Sequence, residues 1–356
     1  MDYPGFFLAN AEQFMADRQL SFADLDEVVN RQYSEAHLTL ISSSPVHGIA
    51  NSGSDIDLMC VTESLHSDQA MASQIYHGAH HMEVVAFARP EVERAFVQLS
   101  ADADQGLAHQ LAAYKGWDKA QPVSRKYLER LMCGVSTDQT LPYLHHQPAL
   151  SKVWAASAFD DFRQSVCFSV LAWRCNEFRA AAAYACNAVL FLMNAILARH
   201  GWVNFNRKWT LLRWDRALHN LDLLPMDALH SRVDQLWLRT YPACRSGLDN
   251  ELVVQLCELA DVAEQSFACV AEYAALKPRV NSADSCTFLP GVEFVLLNDQ
   301  HATLMSAFVM DEVRSTRPFD LANQPQGAAD FLLSRSRAGL IDFSLTPCAA
   351  SQGAAA

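Results

Sequence analysis

Apolar and polar positions follow two different periods along this chain, and the change of period divides it into regions. In the first third, short apolar runs end in turns rich in Ser and Gly, which is typical of buried strands. These runs predict strands over His37–Ile41, Asp55–Val61 and His81–Phe87, and a helix over Glu63–His77. Residues 5–35 predict one or two leading helices. Strand, helix and strand in this order indicate a small α/β sheet.

The middle of the chain, from about residue 123 to 277, has helical periodicity instead. Its strongest segment, Phe159–Arg199, predicts two helices that meet around Cys175–Phe178. Gly201 follows this segment in the position of a helix C-cap. The stretch Ala180–Ala188 is rich in small residues, which indicates a tightly packed core helix.

The last third predicts a small mixed module. Thr287–Leu297 is strand-like, His301–Val313 and Ala328–Ala338 are helix-like, and Gly339–Phe343 turns into a short strand. This order resembles a winged-helix module, and such modules recognise ribosomally made peptides or bind DNA. The local charge does not favour DNA, and a lid or a dimerisation appendage is the simpler interpretation. Residues 345–356 lack periodicity and predict a loose tail.

Charge argues against a long polyanionic partner. The 356 residues carry 27 Lys/Arg and 40 Asp/Glu, a net charge of −13. Residues 1–120 hold 6 Lys/Arg and 17 Asp/Glu (net −11), residues 121–220 hold 12 and 6 (net +6), and residues 221–356 hold 9 and 17 (net −8). Nucleic-acid binders need a basic face to release counterions. A modestly basic middle region suits a single triphosphate, so we expect no long nucleic acid as a partner.

Composition favours a cytoplasmic protein. The ten cysteines are scattered without a Cys-x-x-Cys pair, which is typical of reduced thiols rather than of a zinc site or a disulfide framework. The N-terminus lacks the basic start and long apolar core of a signal peptide. No window approaches 18 uninterrupted apolar residues without charge, so we expect no membrane partner.

The candidate chemistry begins with two acids in an apolar strand. Asp55 and Asp57 are two residues apart, so their side chains point to the same face. Carboxylates in such a setting are costly unless a cation neutralises them, and a divalent metal is the simplest one. Glu83, near the start of the next predicted strand, can join them if the two strands pair. Three carboxylates around two metals suit in-line nucleotidyl transfer.

The turn before these acids has the composition of a phosphate-binding segment. Ser44 can cap a helix and Pro45 fits its first position, while Gly48 and Gly53 let the chain turn back. Hydroxyls and amides at a helix N-terminus attract phosphate. His47, inside the turn, either contacts a phosphate or is a surface histidine.

The pattern Ser43-Ser44-x-x-x-Gly48, followed by Ser54-Asp55-Ile56-Asp57-Leu58, resembles the nucleotidyltransferase superfamily of the DNA polymerase β type. The similarity is greatest to the bacterial branch of aminoglycoside and minimal nucleotidyltransferases. Two positions depart from the family pattern. Ser43 stands where Gly is usual, and its Cβ can crowd the triphosphate, while Glu83 stands where Asp is more frequent.

The resemblance implies an α+β fold, with a small mixed-sheet nucleotidyltransferase catalytic domain, a helical bundle domain and the small C-terminal winged-helix-like module. The predicted ranges are 1–120, 121–280 and 284–344, with the tail at 345–356 and the first boundary at Gly116–Pro122.

The resemblance also assigns roles to residues. Asp55, Asp57 and Glu83 are the expected catalytic residues and ligands of two Mg²⁺ ions. The expected contacts to ATP or another NTP come from five further residues: Ser43, Ser44, Gly48, Ser54 and Lys208.

The helical region leaves alternatives open. Lys208, in a Lys-Trp pair, matches a family lysine that reaches the triphosphate, but it equally fits a surface loop, and Arg207 is a weaker substitute. The resemblance also implies a general base in this region, and Glu177 is the candidate, as the one acid between Arg163 and Asp215. The alternative for Glu177 is an ordinary salt bridge to Arg174 or to a neighbouring helix, in which case Glu83 serves as the base.

The predicted function is therefore transfer of a nucleoside monophosphate, in the first place AMP from ATP, to a hydroxyl of a small molecule, peptide or protein. The alternative is an inactive nucleotide-sensing or peptide-binding protein of the same fold.

Overall fold

The computed structural model describes residues 2–33, 36–64, 72–219, 228–267, 273–280, 286–289, 293–297, 302–306, 326–338 and 341–347. Its helices are α1 (Tyr3–Asp17), α2 (Phe22–Gln32), α3 (Arg89–Ala103), α4 (Leu107–Ala120), α5 (Arg125–Cys133), α6 (Gln147–Arg174), α7 (Phe178–Arg199), α8 (Thr210–His219), α9 (Ala228–Ser246), α10 (Asn250–Phe267) and α11 (Gln326–Arg337). Its strands are β1 (Ala36–Ile41), β2 (Ile56–Thr62), β3 (Ser73–His77), β4 (His80–Ala88), β5 (Val135–Ser136), β6 (Tyr273–Val280), β7 (Cys286–Leu289), β8 (Glu293–Leu297), β9 (Ala302–Ser306) and β10 (Ile341–Pro347).

A mixed five-stranded sheet with the order β3–β4–β2–β1–β5 organises the first half of the chain. β2 and β4 are parallel, and the other neighbours are antiparallel. The predicted strands His37–Ile41, Asp55–Val61 and His81–Phe87 are confirmed by β1, β2 and β4 within one residue at each end. One face of β2 and β4 is mainly apolar, and its side chains Ile56, Leu58, Met82 and Val84 are fully or almost fully buried.

The helix predicted over Glu63–His77 is wrong at its C-terminal end, and residues 65–71 lie outside the described part of the chain. Residues Ser73–His77 form β3, an edge strand that pairs with β4 in a hairpin. Gly78 closes this hairpin with φ of +59°, a conformation that glycine adopts without a steric cost. The pairing of β3 with β4, rather than the local helical spacing of its apolar residues, decides the structure here.

The leading region contains two helices, as expected. α2 begins with a capping box, in which Ser21 and Asp24 each accept a hydrogen bond from the backbone N–H of the other. After β4 the chain continues as α3 and α4, and α4 runs through Gly116. Buried apolar residues on α1, α2 and α3, such as Phe7, Leu25 and Phe96, contribute to the core.

The predicted pair of long helices is confirmed. α6 ends at Arg174 and α7 begins at Phe178, and Gly201 follows α7 with φ of +93°. Among the described helices, α7 alone is long and apolar enough to cross a membrane by length and composition, and most of its apolar window is buried. Its small residues, including Ala181, Ala185 and Ala188, are fully buried. Such burial is typical of a core helix.

The chain divides into two compact units. The first comprises residues 1–157 and 194–225, and the second comprises residues 158–193 and 226–356. Each unit is thus built from two separate segments of sequence. The five-stranded sheet and α1 to α5 belong to the first unit, together with α8.

The C-terminal third is richer in strands than the sequence predicts. β7, β8 and β9 form an antiparallel sheet, and β6 pairs with β10. The helix predicted over His301–Val313 is wrong at Ala302–Ser306, which is β9, and the helix predicted at Ala328–Ala338 is confirmed by α11. The winged-helix arrangement stays a prediction. Of the predicted tail, residues 345–347 extend β10, and the rest lies outside the described residues.

Candidate functional site

A row of polar side chains crosses one face of the five-stranded sheet. Asp57 in β2 is the register partner of Glu83 in β4, so both project from the same face of these parallel strands. Gln74 of β3 is the partner of Glu83 on its other side, and its Nε2 donates to Glu83 Oε2 over 3.3 Å. Ser42, just after β1, donates its backbone N–H to the Asp57 carbonyl over 3.0 Å. We call these four residues the acidic row.

Asp55 lies beside the acidic row. Its Oδ1 is 2.9 Å from Nδ1 of His81, and His81 is two residues before Glu83, hence on the same face of β4. The side chain of Asp55 is 62% exposed. Further along this face, Met59 and Val85 are buried and apolar. The structure therefore places the three predicted carboxylates at one end of the sheet face. Among the described residues, they are not a group whose ligand atoms all lie within 4.8 Å of one another.

Arg130 of α5 lies beside Asp57, where the sequence leads us to expect a metal ion. Its Nη1 is 2.9 Å from Asp57 Oδ1, and the side chains are 13% and 16% exposed, respectively. Within the described residues, the other oxygen of Asp57 accepts no hydrogen bond. Sequence reasoning missed Arg130 because it is 73 positions from Asp57 and belongs to no local motif. The available signal was the positive charge of residues 121–220.

α5 packs an aromatic side chain on the same face of the sheet. The rings of Tyr127 and Phe87 meet edge-on with centroids 5.1 Å apart. Burial raises the pKa of Tyr127, Arg130 opposes this, and the nearby charges of Glu83 and Asp57 raise the pKa further. Tyr127 is therefore a neutral phenol at neutral pH, next to the acidic row.

The turn after β1 presents unpaired backbone N–H groups. Ser43 has φ of +65°, a left-handed conformation that is uncommon for residues other than glycine. His47 and Gly48 donate their N–H groups back into the turn over 3.4 and 3.0 Å. In the part of the chain that the structure describes, the N–H groups of Ser43, Ser44 and Val46 have no acceptor. Neighbouring N–H groups around a left-handed residue form an anion-binding concavity. Val46 is fully buried, so Ser43 and Ser44 are the residues whose N–H groups can receive a phosphate.

Two helices of the first unit hold this turn. Asn10 of α1 donates to the Val46 carbonyl over 3.1 Å, and Arg216 of α8 donates to the Gly48 carbonyl. Gly48 has φ of +66°, and a Cβ there would be 2.6 Å from Asn10 Oδ1. The helix start predicted at Ser44 and Pro45 therefore produces only a turn, because the chain reverses at Gly48.

His47 is fully buried, and both of its predicted environments are therefore wrong. Trp202 Nε1 donates to His47 Nδ1 over 3.0 Å, and His47 Nε2 is 2.7 Å from Glu129 Oε1. An indole N–H can only donate, so His47 Nδ1 must be the acceptor and the ring proton lies on Nε2. His47 consequently donates to Glu129 and anchors the turn to α5.

His47, Glu129 and Cys133 also offer buried metal-ligand atoms within 4.8 Å of one another. The hydrogen bonds argue against a metal ion, because both nitrogens of His47 are engaged. Arg213 already supplies positive charge beside Glu129: burial lowers its pKa to about 10, which still leaves it cationic at neutral pH. Burial also raises the pKa of Cys133 well above its ordinary value, which disfavours the thiolate. We interpret this group as a structural network.

Ser54 and Lys208 make contacts of their own. Ser54 Oγ accepts the N–H of Asn51 over 2.9 Å and lies 3.3 Å from Asn51 Oδ1, so its hydroxyl closes a local turn. Lys208 is exposed, with Nζ 4.8 Å from the ring centroid of Trp209. No contact between described residues brings either side chain to the acidic row, so their nucleotide-binding roles stay predictions.

Glu177 belongs to the second unit, between α6 and α7. Arg337 of α11 donates to both of its carboxylate oxygens, one of them over 3.0 Å. These hydrogen bonds lower the pKa of Glu177. A lowered pKa weakens a general base, so Glu83 is the better candidate of the two.

The chain was compared with protein-family models, with curated proteins and with solved structures. A family model described as "Family of unknown function (DUF6001)" matches residues 6–349. None of the curated proteins matches the chain. A nucleotidyltransferase-like protein from Exiguobacterium sibiricum 255-15 is similar over 80% of this chain and 99% of its own, with 11% identity and a TM-score of 0.25. That similarity is too slight to carry an argument.

Proposed function

The chain belongs to DUF6001, a family of unknown function, and from its own residues we propose a metal-dependent nucleotidyltransferase. The proposed reaction moves a nucleoside monophosphate, in the first place AMP from ATP, to a hydroxyl of a small molecule, peptide or protein. The oxygen of that hydroxyl forms a bond to the α-phosphorus, the bond to the bridging oxygen breaks, and pyrophosphate leaves. The hydroxyl proton passes to a base.

One observation carries the proposal: the register pairing of Asp57 with Glu83, beside Asp55, directly after a turn with unpaired N–H groups. Asp57 is mostly buried, and Glu83 and the exposed Asp55 add negative charge beside it, more than the single Arg130 guanidinium compensates. The N–H groups of Ser43 and Ser44 supply the complementary feature, because they can bind an anion.

The donor type suits divalent cations, and the carboxylates would have to move closer to one another to share one. Carboxylate oxygens are the ligands that Mg²⁺ prefers, and one oxygen of Asp57 is not hydrogen-bonded within the described residues. Asp55 is largely exposed, so its carboxylate is accessible. When bound there, Mg²⁺ would neutralise phosphate charge and lower the pKa of the attacking hydroxyl.

The remaining roles belong to the protein's own groups. The turn around Ser43 and Ser44 would bind the β- and γ-phosphates through its N–H groups and hydroxyls. Glu83 would accept the proton of the acceptor hydroxyl. Positioning and charge neutralisation would supply most of the rate enhancement, as is usual in phosphoryl transfer.

The test is the variant Asp57→Asn with labelled ATP, Mg²⁺ and cell extract as the source of acceptors. We expect pyrophosphate release and the labelled product to be lost, because the amide that replaces the carboxylate is neutral and a poorer cation ligand. Far-UV circular dichroism and urea unfolding monitor the fold. Asp118 of α4 forms an exposed ion pair with Arg125 of α5, and Asp118→Asn is the matched control, which should keep activity. Pyrophosphate release by Asp57→Asn at the wild-type rate would contradict the proposal.

A second candidate is a nucleotide-sensing or peptide-binding protein without transfer activity. The ion pair between Arg130 and Asp57 favours it, because the guanidinium compensates this carboxylate without a metal. Ser43 in place of the usual glycine points the same way. Calorimetry with ATP and Mg²⁺ separates the two candidates: binding without pyrophosphate release across a broad acceptor panel supports the sensor.

A further inference from the structure

We infer that Arg130 is a phosphate-binding residue of this site. Asp57 pairs with its guanidinium until a cation and a nucleotide bind together. On binding, Asp57 exchanges the guanidinium for the cation, and Arg130 exchanges the carboxylate for a phosphate oxygen. This inference rests on the proposed function and adds a residue to its substrate contacts.

The first support is the geometry of the Arg130 guanidinium. It uses Nη1 for Asp57 Oδ1 at 2.9 Å. In the described part of the chain its other nitrogens make no hydrogen bond, and they are not among the buried side-chain atoms that lack a partner. The guanidinium therefore keeps accessible donors while one nitrogen is held. Its planar fork suits bidentate binding of phosphate oxygens.

The second support is the position of α5. Its residue Glu129 accepts from His47 of the turn, and the next residue, Arg130, binds Asp57. One helix thus contacts both the segment with anion-binding N–H groups and the acid that would hold a cation. Arg130 therefore contacts the acid directly and follows, in sequence, the residue of α5 that contacts the turn.

The third support is charge balance. Both side chains are mostly buried, and a buried charge without a partner is strongly unfavourable. A cation at Asp57 repels the guanidinium, so the cation alone leaves Arg130 without a counter-ion. A nucleotide that binds Arg130 in the absence of the cation leaves Asp57 without a counter-ion. Together the two ligands compensate both charges, so their binding must be positively coupled.

The experiment measures this coupling without measuring activity. Mn²⁺ binding is titrated by electron paramagnetic resonance, with and without an ATP analogue that has a non-hydrolysable α,β bond. For Arg130→Gln we expect Mn²⁺ alone to bind about tenfold tighter, because its competitor is gone, and the analogue with Mn²⁺ to bind about tenfold weaker. The coupling seen in the wild type should therefore largely disappear.

Two further variants make the result specific. Arg125→Gln removes another arginine of α5, paired with exposed Asp118, and should behave as the wild type does. Arg130→Lys keeps the positive charge beside Asp57, so it serves as the test variant if Arg130→Gln does not fold. It should leave Mn²⁺ binding alone near the wild-type value and weaken binding of the analogue, since an ammonium lacks the fork.

The outcomes separate this inference from the proposed function. If the wild type binds Mn²⁺ and the analogue, but Arg130→Gln and Arg130→Lys match it in both titrations, Arg130 is only a structural partner of Asp57 and the inference is wrong. If neither the wild type nor Arg125→Gln binds Mn²⁺ or the analogue, the proposed function fails, and the inference fails with it.

Discussion

At the scale of single residues, the backbone conformation of Ser43 accounts for a difference between this chain and the nucleotidyltransferase motif that its sequence resembles. Its φ of +65° is a region where the Cβ of an L-residue meets the following carbonyl. The glycine that is usual at this position in nucleotidyltransferases would adopt the same conformation without that contact. The turn thus keeps its shape with serine, and the side chain adds a hydroxyl beside the unpaired N–H groups.

Ser43→Gly should therefore stabilise the protein. Relief of the left-handed strain outweighs the extra chain entropy of glycine, for a net gain of up to about 1 kcal/mol in the free energy of unfolding. Urea denaturation measures it. Ser44→Gly is the control: Ser44 does not have positive φ, so that change should be destabilising. A loss of stability in Ser43→Gly would contradict the argument.

Glu129 is the residue on which the buried network depends. It accepts from His47, and its charge partly compensates that of the fully buried Arg213. Arg213 also donates to the Trp202 carbonyl over 2.8 Å, which ties the network to the segment after α7. Removal of Glu129 would leave an imidazole N–H and a guanidinium without their acidic partner.

Glu129→Ala should cost about 3–5 kcal/mol of unfolding free energy, because it leaves a buried charge uncompensated. Glu27→Ala removes an exposed partner of Arg31 on α2 and should cost under about 0.5 kcal/mol beyond helix propensity. Chemical denaturation of both variants provides the comparison. Equal effects of the two substitutions would show that the buried network does not depend on the charge of Glu129.

At the scale of elements, local pattern was sufficient where an element is defined by its own residues. β1, β2 and β4 are short, mainly apolar runs bounded by turn residues, and α6 and α7 are long, mainly apolar segments, so length and composition identify them. β3 and β9 are short strands of antiparallel pairs, and their structure depends on pairing with a neighbour. The site shows the same difference between local and distant contacts. Asp55 and Asp57 form a local motif that the sequence identifies, whereas the contact of Arg130 with Asp57 joins distant elements.

The contact between Glu177 and α11 gives a pH dependence with a definite sign. The pKa of Glu177 is lowered from 4.5, mainly by the hydrogen bonds from Arg337. A carboxyl with a lowered folded pKa stabilises the protein above its unfolded pKa, and this contribution is lost as pH falls through the folded value. Both side chains are about 40% exposed, so solvent screening keeps the contribution below about 1 kcal/mol.

We therefore expect Glu177→Gln to be less stable than the wild type above about pH 5, with the difference shrinking as the pH falls through the lowered pKa of Glu177. Urea unfolding at several pH values in this range measures it. Arg337→Gln should show the same dependence, since it removes the other partner. A difference that stays constant over the whole range would exclude the ion pair as its source.

At the scale of the whole molecule, each compact unit combines segments that are distant in sequence. The first unit needs residues 194–225 as well as residues 1–157. Trp202 and Arg213, which are almost fully buried, come from the later segment. Sequence periodicity identifies such helices but cannot show which core their side chains fill, because that is decided by contacts between distant segments.

A fragment ending at residue 157 should consequently fail to fold. It would lack Trp202, which donates to His47, and Arg213, whose charge Glu129 compensates. We expect reduced helical circular dichroism and no cooperative urea transition, whereas the full chain should show one. A cooperative transition for the fragment would mean that the first segment forms its core alone.

Two consecutive residues of α5 contact the turn after β1 and Asp57 of β2. This pair of contacts limits which mutations in α5 the protein can accept. Adjacent side chains on a helix diverge by about 100°, so Glu129 and Arg130 reach their partners only in one rotational phase of α5. A codon inserted or deleted within this helix before Glu129 would rotate both side chains away at once. Substitutions on the exposed side of α5 leave that phase unchanged, so genetic drift can alter its surface far more freely than its length.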